Sequence, residues 1–378
     1  MKKIGIILFL LLFPCSVFAE DFLPNAKSGL LMEFSTGKII FEKEKDLEVS
    51  VASMTKMVAQ IIILEDIKAK KIKWNDIVTV SQNASSMGGS QIYLETGEKM
   101  SVEDLMKGIS VASGNDATVA MAEYISGTEE KFVERMNQKV KELGLEHTHF
   151  QNCTGLDEEN HYSSSYDMAV IARELLMKYP EILRFSSIYE DYLRKDTDRK
   201  FWLVNTNKLI SQYEGVDGLK TGHTDDAGYC LAATAKRDDL RFIAINLGES
   251  DSKVRNKETM DLLDYGFQSV KMKTLKKKGS IVKTVSLSKT EPKKIIYVLK
   301  DNLNVIESPN EKKNYTYNIK LKKISYPIKK GVSLGIIQVK DAGKILSSVS
   351  LISNSNIRLL SFFELFRDSI KGVLFGVF

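Results

Sequence analysis

Strand-like segments stand at both ends of the first two thirds of this chain, and helical segments fill the interval between them. Residues 30–34 and 38–42 alternate in polarity about a glycine-containing turn, and residues 229–235 and 241–247 flank a charged turn. Both patterns predict antiparallel hairpins. Because the strands come before and after the helices instead of alternating with them, the sequence predicts an α+β layer architecture.

The interval between the hairpins carries several helical patterns. From Ser53 to about Lys70 apolar residues recur at helical spacing, which predicts a buried helix. Further helices are predicted at 102–111, 117–125, 129–143 and 166–178, and a last one is predicted after the second hairpin, around 258–266.

After about residue 269 the chain changes to short β-rich runs separated by Lys, Asn, Gly and Pro. These runs lie at 281–287, 295–299, 315–321 and 332–339, and they predict a small, separate all-β domain. The lysine-rich stretch 271–278 is interpreted as a solvated linker and edge, with contact to an anionic surface as the alternative.

The tail from 356 to 378 has the pattern of an amphipathic helix. Its apolar stripe consists of Leu359, Phe363, Phe366, Ile370, Val373 and Val377. Aromatic residues on an apolar face near basic residues predict a helix that lies in the membrane interface without spanning it. The alternative is a helix docked on the β domain of the same chain.

The first nineteen residues have the pattern of an export signal. Lys2 and Lys3 precede an apolar run at 4–13, and small residues at Val17 and Ala19 predict cleavage before Glu20. The apolar run is shorter than the ~20 residues that a membrane span needs. We therefore divide the chain into a signal peptide (1–19), a catalytic domain (20–268), a β-rich domain (269–352) and an amphipathic anchor (353–378).

Export places the chain in a compartment where cysteines can be oxidised. Cys153 and Cys230 remain after cleavage, and the sequence leaves their pairing open. The formal charge of +5 includes the two lysines of the signal. So small an excess does not favour nucleic acid as a partner.

One candidate nucleophile lies where an irregular stretch meets the first predicted buried helix. Residues three apart share one face of a helix, so the amine of Lys56 can reach the hydroxyl of Ser53. Serine becomes nucleophilic when a base takes its proton, and a lysine desolvated in a pocket can act as that base. By itself the pair is equally compatible with an N-cap serine and a surface lysine.

A second motif, Ser113-Gly114-Asn115, follows the predicted helix at 102–111. A turn there can point side chains into a cleft. The amide of Asn115 can hold an amide substrate, and the hydroxyl of Ser113 can relay a proton to a leaving nitrogen. Alone, this motif is also compatible with an ordinary turn.

A third motif, Lys220-Thr221-Gly222, lies on or beside the strand that precedes residues 229–235. A substrate can add to an edge strand as a further strand, Lys220 and Thr221 can meet its carboxylate, and Gly222 permits close approach. An ordinary strand end followed by a turn would look the same.

In this order, the three motifs are the set found in class A β-lactamases and penicillin-binding proteins. The surrounding stretches 52–57, 113–117 and 217–224, with 227–229 following, resemble the low-molecular-weight D-alanyl-D-alanine carboxypeptidases. The likeness covers nearly all of the chain after the signal. It implies a β-lactamase/transpeptidase-like domain, with an antiparallel sheet and a helical cluster, followed by a small all-β domain and a C-terminal amphipathic helix.

The resemblance also implies a role for each motif residue. Ser53 would form the acyl-enzyme with Lys56 as its base, Ser113 and Asn115 would assist proton transfer and bind the substrate amide, and Lys220, Thr221 and Gly222 would form the strand that binds the terminal carboxylate. The backbone N–H groups of Ser53 and His223 would form the oxyanion hole, and Arg255 would lie near the carboxylate.

The activity implied is removal of the terminal D-Ala from peptidoglycan stem pentapeptides through an acyl-enzyme. It needs no cofactor and no metal, and β-lactam antibiotics would be covalent inhibitors of the same serine. The enzyme would work on the outer face of the cytoplasmic membrane, held at the membrane surface by the C-terminal helix. His147, His149 and His161 fit no metal-ligand spacing and are interpreted as polar loop residues.

Three alternatives remain open on the sequence. A β-lactamase is disfavoured because no Glu-x-x-Leu-Asn stretch lies between Asn115 and Lys220. A D,D-endopeptidase would use the same residues on crosslinked peptidoglycan. A wall-associated penicillin-binding scaffold would keep the fold with little turnover.

Overall fold

A computed structural model of the chain describes residues 21–308 and 313–375. The predicted export signal at 1–19 lies outside the described residues. In chain order the strands are β1 Ser28–Glu33, β2 Ile39–Lys43, β3 Ile77–Thr79, β4 Lys99–Ser101, β5 Glu190–Leu193, β6 Phe201–Val204, β7 Val216–Thr224, β8 Gly228–Arg237, β9 Leu240–Glu249, β10 Lys271–Lys276, β11 Ile281–Ser286, β12 Thr290–Glu291, β13 Lys294–Leu299, β14 Leu303–Glu307, β15 Thr316–Leu321, β16 Ser333–Asp341, β17 Lys344–Ser353 and β18 Arg358–Leu359.

The helices lie mainly between β2 and β7. They are α1 Lys56–Lys68, α2 Gln82–Ser85, α3 Val102–Val111, α4 Asn115–Ser126, α5 Glu129–Glu142, α6 Ser165–Lys178, α7 Leu183–Ser186, α8 Leu209–Gln212, α9 Ser252–Ser269 and α10 Phe362–Phe375, with 3₁₀ turns at Ala52–Thr55 and Pro180–Ile182. The predicted α+β class is confirmed.

The central sheet of the first region is antiparallel, with strand order β2-β1-β9-β8-β7. Its two faces pack against different helices because successive side chains of a strand point to opposite faces. Ile243 and Ile245 of β9 belong to the core that contains α1 and α6. Phe242 and Ala244 of the same strand belong to the core that contains the apolar residues of α9. Helices therefore cover both faces of the sheet, and β7 forms one of its edges.

Helix α1 lies in the middle of the helical cluster. Ten of its thirteen residues are buried, and it contacts α4, α5 and α6. Its few polar groups are paired, as Gln60 donates to Ser110 at 2.9 Å and Asp66 accepts from Arg135 at 2.8 Å. A helix that is buried on most sides belongs in a protein interior, and the 3₁₀ turn that leads into it contacts β7 and β8 of the sheet.

The start of α1 differs from the sequence prediction in one respect. The predicted helix began at Ser53, whereas Ser53 lies in the 3₁₀ turn Ala52–Thr55 and α1 begins at Lys56. Ala52 adopts a left-handed conformation with φ +46°. An α-helix cannot include such a residue, so the chain enters the helix through a tighter turn.

The region after α9 is all-β, as expected. A five-stranded sheet has the order β11-β13-β17-β16-β15, and β10 pairs with β14. Its core is a separate cluster that includes Ile295, Leu299, Val339 and Leu351. The lysine-rich stretch 271–278, interpreted as a solvated linker and edge, is largely the strand β10, in which the lysines are exposed and Met272 and Leu275 are partly buried.

The predicted amphipathic helix begins later than the sequence indicates: Leu359 lies in β18, and α10, Phe362–Phe375, has an exposed apolar face. Val377 of the predicted stripe lies outside the described residues. Phe362, Phe363 and Phe366 are 76%, 80% and 57% exposed. Arg358 pairs with Glu364, and Lys293 pairs with Asp368, so polar contacts orient the helix next to β18 and β13. Among the described residues, no helix has the length and apolar content that crossing a membrane requires.

Candidate active site

The predicted nucleophile lies on the 3₁₀ turn that leads into α1. Lys56 follows it by one helical turn, and the Lys56 Nζ donates to the Ser53 Oγ at 2.7 Å. The hydroxyl of Ser53 is half-buried. The left-handed Ala52 immediately before it is the sort of backbone strain that persists only where surrounding packing holds it. The structure thus brings the serine and the amine into direct contact.

Lys56 is fully buried, and this burial lowers the pKa of its amine to about 7. The desolvation outweighs the smaller opposing effects of Asp116 and Cys153. The same nitrogen donates to the backbone carbonyl of Thr154 at 2.6 Å. A neutral amine has one lone pair. With a hydrogen directed at Thr154, that lone pair is available to the hydroxyl of Ser53.

The second motif supplies two polar atoms without partners. Ser113 has a left-handed backbone, with φ +62°, between α3 and α4. Its Oγ is buried and makes no hydrogen bond among the described residues. Asn115 begins α4, and its Nδ2 donates to the carbonyl of Gly88 at 2.7 Å while its buried Oδ1 has no partner there. Buried polar atoms without partners are costly, and a bound substrate amide would satisfy both.

The third motif lies on the edge strand β7. Thr221 is buried and its Oγ1 donates to Thr206 Oγ1 at 2.7 Å. Lys220 is buried beneath the strand, where its Nζ donates to the carbonyl of Thr221 at 2.9 Å. Desolvation, with help from the nearby cations Lys56 and Arg255, holds the pKa of Lys220 well below its usual range.

Gly222 brings β7 close to the nucleophile. A Cβ at this position would lie 2.5 Å from the carbonyl oxygen of Val51 and 3.3 Å from the amide nitrogen of Ser53. Only a glycine allows that approach. His223 follows on the exposed side, and its ring lies 4.1 Å from the ring of Tyr229.

Arg255 projects from α9 toward the same cavity. Its guanidinium donates to Asn256 Oδ1 at 2.8 Å and to the carbonyl of Cys230 at 3.4 Å, and burial lowers its pKa. The cavity has a volume of about 270 Å³ and is lined by Ser53, Ser90, Ser113, Thr206, Thr221, Gly222, His223, Tyr229, Ser252 and Arg255. Residues from all three motifs therefore line one cleft, with Lys56 and Lys220 buried behind it.

This geometry is matched by sequence relationships over most of the chain. The sequence profile of a family described as D-alanyl-D-alanine carboxypeptidase (Peptidase S11) matches residues 19–251. The chain belongs to this family. A second profile, described as the C-terminal domain of penicillin-binding protein 5, matches residues 271–358. The resemblance inferred from the three motifs is confirmed.

Individual carboxypeptidase relatives match the chain over nearly its full length. It is 45% identical to the D-alanyl-D-alanine carboxypeptidase DacF of Bacillus subtilis, over 96% of this chain and 95% of DacF. The crystal structure of penicillin binding protein 5 from Haemophilus influenzae covers 90% of this chain and 99% of its own, with a TM-score of 0.72 and 29% identity. Penicillin-binding protein D2 of Listeria monocytogenes, solved in an ampicillin-bound form, covers 64% of this chain and 98% of its own, with a TM-score of 0.58 and 29% identity.

Several groups at the carboxypeptidase cleft were not anticipated from the sequence. Ser90, Thr206, Tyr229 and Ser252 line the cavity, and the carbonyl of Thr154 holds the candidate base. Every residue carries a carbonyl, so no side-chain signal could have indicated Thr154. A signal existed for its neighbour Asn152, whose Oδ1 accepts from the amides of Thr154 and Gly155 in the manner of an Asx turn.

Cys153, Cys230 and His161 take structural positions. Cys153 and Cys230 are both free thiols in the protein interior. His161 is buried, with its Nε2 2.8 Å from Thr55 Oγ1, and burial lowers its pKa to about 4. Within residues 21–308 and 313–375, no group of three or more His, Cys, Asp or Glu side chains is arranged to hold a metal ion.

Proposed function

We propose that this D,D-carboxypeptidase acts through Ser53 as its acylated nucleophile and Lys56 as the base. The protein is a serine-type hydrolase that removes the terminal D-Ala from peptidoglycan stem peptides. The observation that carries the assignment is the 2.7 Å contact between Lys56 Nζ and Ser53 Oγ, made by an amine whose pKa burial lowers to about 7, so that a substantial fraction of it is neutral at that pH. A neutral amine in contact with a hydroxyl is equipped to take its proton.

Acylation then follows from the positions of the cleft residues. Ser53 Oγ attacks the carbonyl carbon of the penultimate D-Ala while its proton passes to Lys56. The amides of Ser53 and His223 stabilise the oxyanion that develops. Lys56 then returns this proton through the hydroxyl of Ser113 to the nitrogen of the departing D-Ala as the C–N bond breaks, which leaves both Lys56 and Ser113 in their starting protonation states. Water then hydrolyses the ester and restores the serine.

Substrate binding is assigned to the remaining cleft residues. Asn115 Oδ1, a buried acceptor with no partner among the described residues, would receive the N–H of the stem-peptide backbone. Thr221 would meet the terminal carboxylate, with the side chains of Lys220 and Arg255 behind it, and the negative charge of the carboxylate would favour their charged forms. Gly222 allows the peptide to lie along β7 as a further strand. No cofactor takes part in this scheme.

The first experiment is release of D-Ala from a synthetic stem pentapeptide by protein lacking residues 1–19 and the residues after Ser355. We expect release by the parent protein and none by Ser53→Ala. Failure to release D-Ala, together with covalent binding of penicillin, would favour the D,D-endopeptidase or the scaffold. If the protein neither releases D-Ala nor forms a penicillin adduct, the assignment of Ser53 is overturned.

The family acts on peptidoglycan peptides and is acylated by β-lactams. For this chain we expect a penicillin adduct on Ser53, because a β-lactam imitates the D-Ala–D-Ala amide. Mass spectrometry of the intact protein would reveal it. Rapid turnover of penicillin without a lasting adduct would instead indicate a β-lactamase.

We also propose that α10 attaches the enzyme to the outer face of the cytoplasmic membrane, after export directed by residues 1–19. The exposed rings of Phe362, Phe363 and Phe366 form an apolar surface suited to the lipid interface. Deletion of the residues after Ser355 should release active enzyme from membranes. Retention of the truncated protein in the membrane fraction would contradict this role for α10.

A further inference from the structure

Charge is distributed very unevenly along this chain. The catalytic region, residues 20–268, carries 42 Asp and Glu against 30 Lys and Arg, a formal charge of −12. Residues 269–378 carry 22 Lys and Arg against 7 Asp and Glu, a formal charge of +15. The small net charge of the whole chain therefore conceals two regions of strong and opposite charge. Neither the chemistry of the cleft nor the apolar surface of α10 accounts for this separation.

Three exposed lysines surround the segment that leads into α10. The carbonyl of Lys289 accepts from the amide of Leu360 at 3.0 Å. The amide of Lys330 donates to Asn356 Oδ1 at 2.8 Å, and Lys329 is its neighbour in the chain. The side chains of all three lysines are exposed. We call Lys289, Lys329 and Lys330 the lysine collar, because they lie around the start of the apolar helix.

Two ion pairs lie beside the lysine collar and contribute no net charge. Arg358 pairs with Glu364 at 2.7 Å, and Lys293 pairs with Asp368 at 2.7 Å. Glu291, in β12, is an exposed acid in the same part of the chain. The three lysines of the collar outnumber this acid, so the surface around the start of α10 carries an excess of positive charge.

Strand β13 runs between two opposite ends of the β-rich region. Lys293, directly before the strand, pairs with Asp368 of α10. Lys300, directly after the strand, lines a cavity together with Phe34 and Leu176 of the catalytic region. The six residues of a strand span about 20 Å. A surface that contacts α10 and the lysine collar is therefore separated from the catalytic region by the length of this sheet.

We propose that the lysine collar binds the headgroups of anionic phospholipids beside the place where α10 enters the membrane interface. This inference rests on the proposed attachment of α10 to the membrane. Basic clusters next to an amphipathic helix attract anionic lipids, and the exposed rings of Phe362, Phe363 and Phe366 supply the neighbouring apolar surface. The negative charge of the catalytic region disfavours orientations in which that region touches the anionic surface. The β-rich region thus sets which end of the enzyme faces the membrane.

The test measures how tightly the chain from residue 20 to residue 378 binds to lipid vesicles in cosedimentation. One set of vesicles is phosphatidylcholine alone, and the other is phosphatidylcholine mixed with phosphatidylglycerol in equal parts. A lysine near an anionic surface contributes about fivefold to binding, so we expect the parent protein to bind the mixed vesicles roughly 100-fold more tightly than the neutral ones. Added salt should reduce this preference, because it screens the charges.

A triple variant carries Lys289→Gln, Lys329→Gln and Lys330→Gln. It should lose most of the preference for mixed vesicles and still bind the neutral vesicles through α10. Formation of the penicillin adduct at the parent rate would show that the variant is folded, since the lysine collar is remote from the cleft.

The matched control carries Lys277→Gln, Lys278→Gln and Lys300→Gln. It loses the same charge from exposed lysines of the same region, but Lys278 and Lys300 line the cavity next to the catalytic region. Because a distance of about 20 Å exceeds the range over which salt leaves charges unscreened, the control should keep the preference of the parent protein within about threefold.

Failure of the proposed attachment and failure of this inference have different signatures. If the parent protein binds neither kind of vesicle, the attachment by α10 fails and the inference falls with it. If the parent protein binds both kinds equally, or if the two triple variants lose the preference to the same extent, only the role of the lysine collar is overturned. The same conclusion follows if soluble poly(glycerol phosphate) displaces the parent protein from mixed vesicles at an equal concentration of phosphate, because the lysines would then recognise a soluble polyanion.

Discussion

At the scale of single residues, the active-site region combines buried cations with buried acids. Lys220 is fully buried, and the nearby cations Lys56 and Arg255 add to the desolvation that disfavours its charge. Glu249, at the end of β9, and Glu258, in α9, bury two carboxyl groups beside each other. A buried ionisable group whose charge is not balanced by its surroundings has a pKa shifted from the ordinary value. The effect of that shift on activity or stability can be measured as a function of pH.

Acylation should depend on the protonation of Lys56. Burial lowers the pKa of this amine to about 7, so the amine is neutral above that pH and charged below it. Only the neutral form can accept the proton of Ser53. We therefore expect the rate of β-lactam acylation to fall as the pH drops through about 7, in stopped-flow measurements with a fluorescent penicillin. Lys56→Met should lose acylation by a factor of at least about 10² at every pH, and a pH-independent rate in the parent enzyme would contradict the role.

The pair Glu249 and Glu258 should make the folded state less stable at neutral pH than at mildly acidic pH. Burial, followed by the hydrogen bond to Glu258, raises the pKa of Glu249 from 4.5 to about 7. A carboxyl group whose pKa is higher in the folded state than in the unfolded state stabilises the folded state fully at pH values below its unfolded-state pKa. This stabilisation is lost as the pH rises through the folded-state pKa. The free energy of unfolding in urea should therefore fall between pH 4.5 and 7.

Glu249→Gln is the variant for this measurement. A neutral amide does not titrate, so the decline in unfolding free energy over this interval should be much smaller in the variant than in the parent. Asn246 Nδ2 donates to Glu249 at 3.2 Å, and this bond can be kept by the glutamine carbonyl. If the free energy of unfolding has the same pH dependence in the parent and in the variant, another group is responsible for the decline.

At the scale of elements, the geometry of the cleft depends on backbone segments that pack against each other with no side chain between them. Gly222 of β7 faces the backbone of residues 51–53. Gly155, with φ +83°, lies against the carbonyl of Ala52, and any Cβ there would overlap it. Its loop also presents the Thr154 carbonyl to Lys56. The entry to α1 is therefore enclosed by backbone from an edge strand and from a loop.

Gly222→Ala should separate β7 from the nucleophile. The new methyl group would lie 2.5 Å from Val51 O and 3.1 Å from Ala52 Cβ, so either strand β7 or the 3₁₀ turn that begins at Ala52 must move. A displacement approaching 1 Å at reacting atoms can cost about 10²-fold in rate. We expect acylation by penicillin to slow by about that factor while the far-ultraviolet circular dichroism is unchanged. An acylation rate within twofold of the parent would show that the cleft accommodates the methyl group.

At the scale of the whole molecule, the catalytic and β-rich regions have separate cores joined by β14. Leu303 and Val305 of this strand belong to the C-terminal core, whereas Ile306 belongs to the core beneath α9. Because neighbouring residues of a strand point in opposite directions, one strand can pack on both. The cleft itself is built from elements that precede β10.

Leu351→Ala should therefore weaken the β-rich region without altering the chemistry. Leu351 is fully buried in the C-terminal core, and removing its side chain should cost about 2–5 kcal/mol of local stability. Differential scanning calorimetry should show a transition shifted to lower temperature, with the penicillin acylation rate unchanged. If the acylation rate falls together with the transition temperature, the two regions act as one cooperative unit.

The sequence by itself determined the order and class of the main elements and the three motifs. Periodicity is a local property, so the hairpin at β1 and β2 and the helices α3 to α6 could be predicted near their observed bounds. The motif residues were recognisable because their chemistry lies in side chains. Strands β14 and β17 were missed, since β17 carries five polar residues, Lys344, Ser347, Ser348, Ser350 and Ser353, among its apolar ones.

Only the tertiary structure decided how the motifs meet and what surrounds them. The sequence placed Ser53 in the helix, but the left-handed Ala52 puts it on a 3₁₀ turn against β7. The contact of the Thr154 carbonyl with Lys56 and the pairing of the carboxyl groups of Glu249 and Glu258 have no sequence signature. Each depends on backbone groups or side chains that are distant along the chain and are brought together only when the sheet and the helical cluster pack.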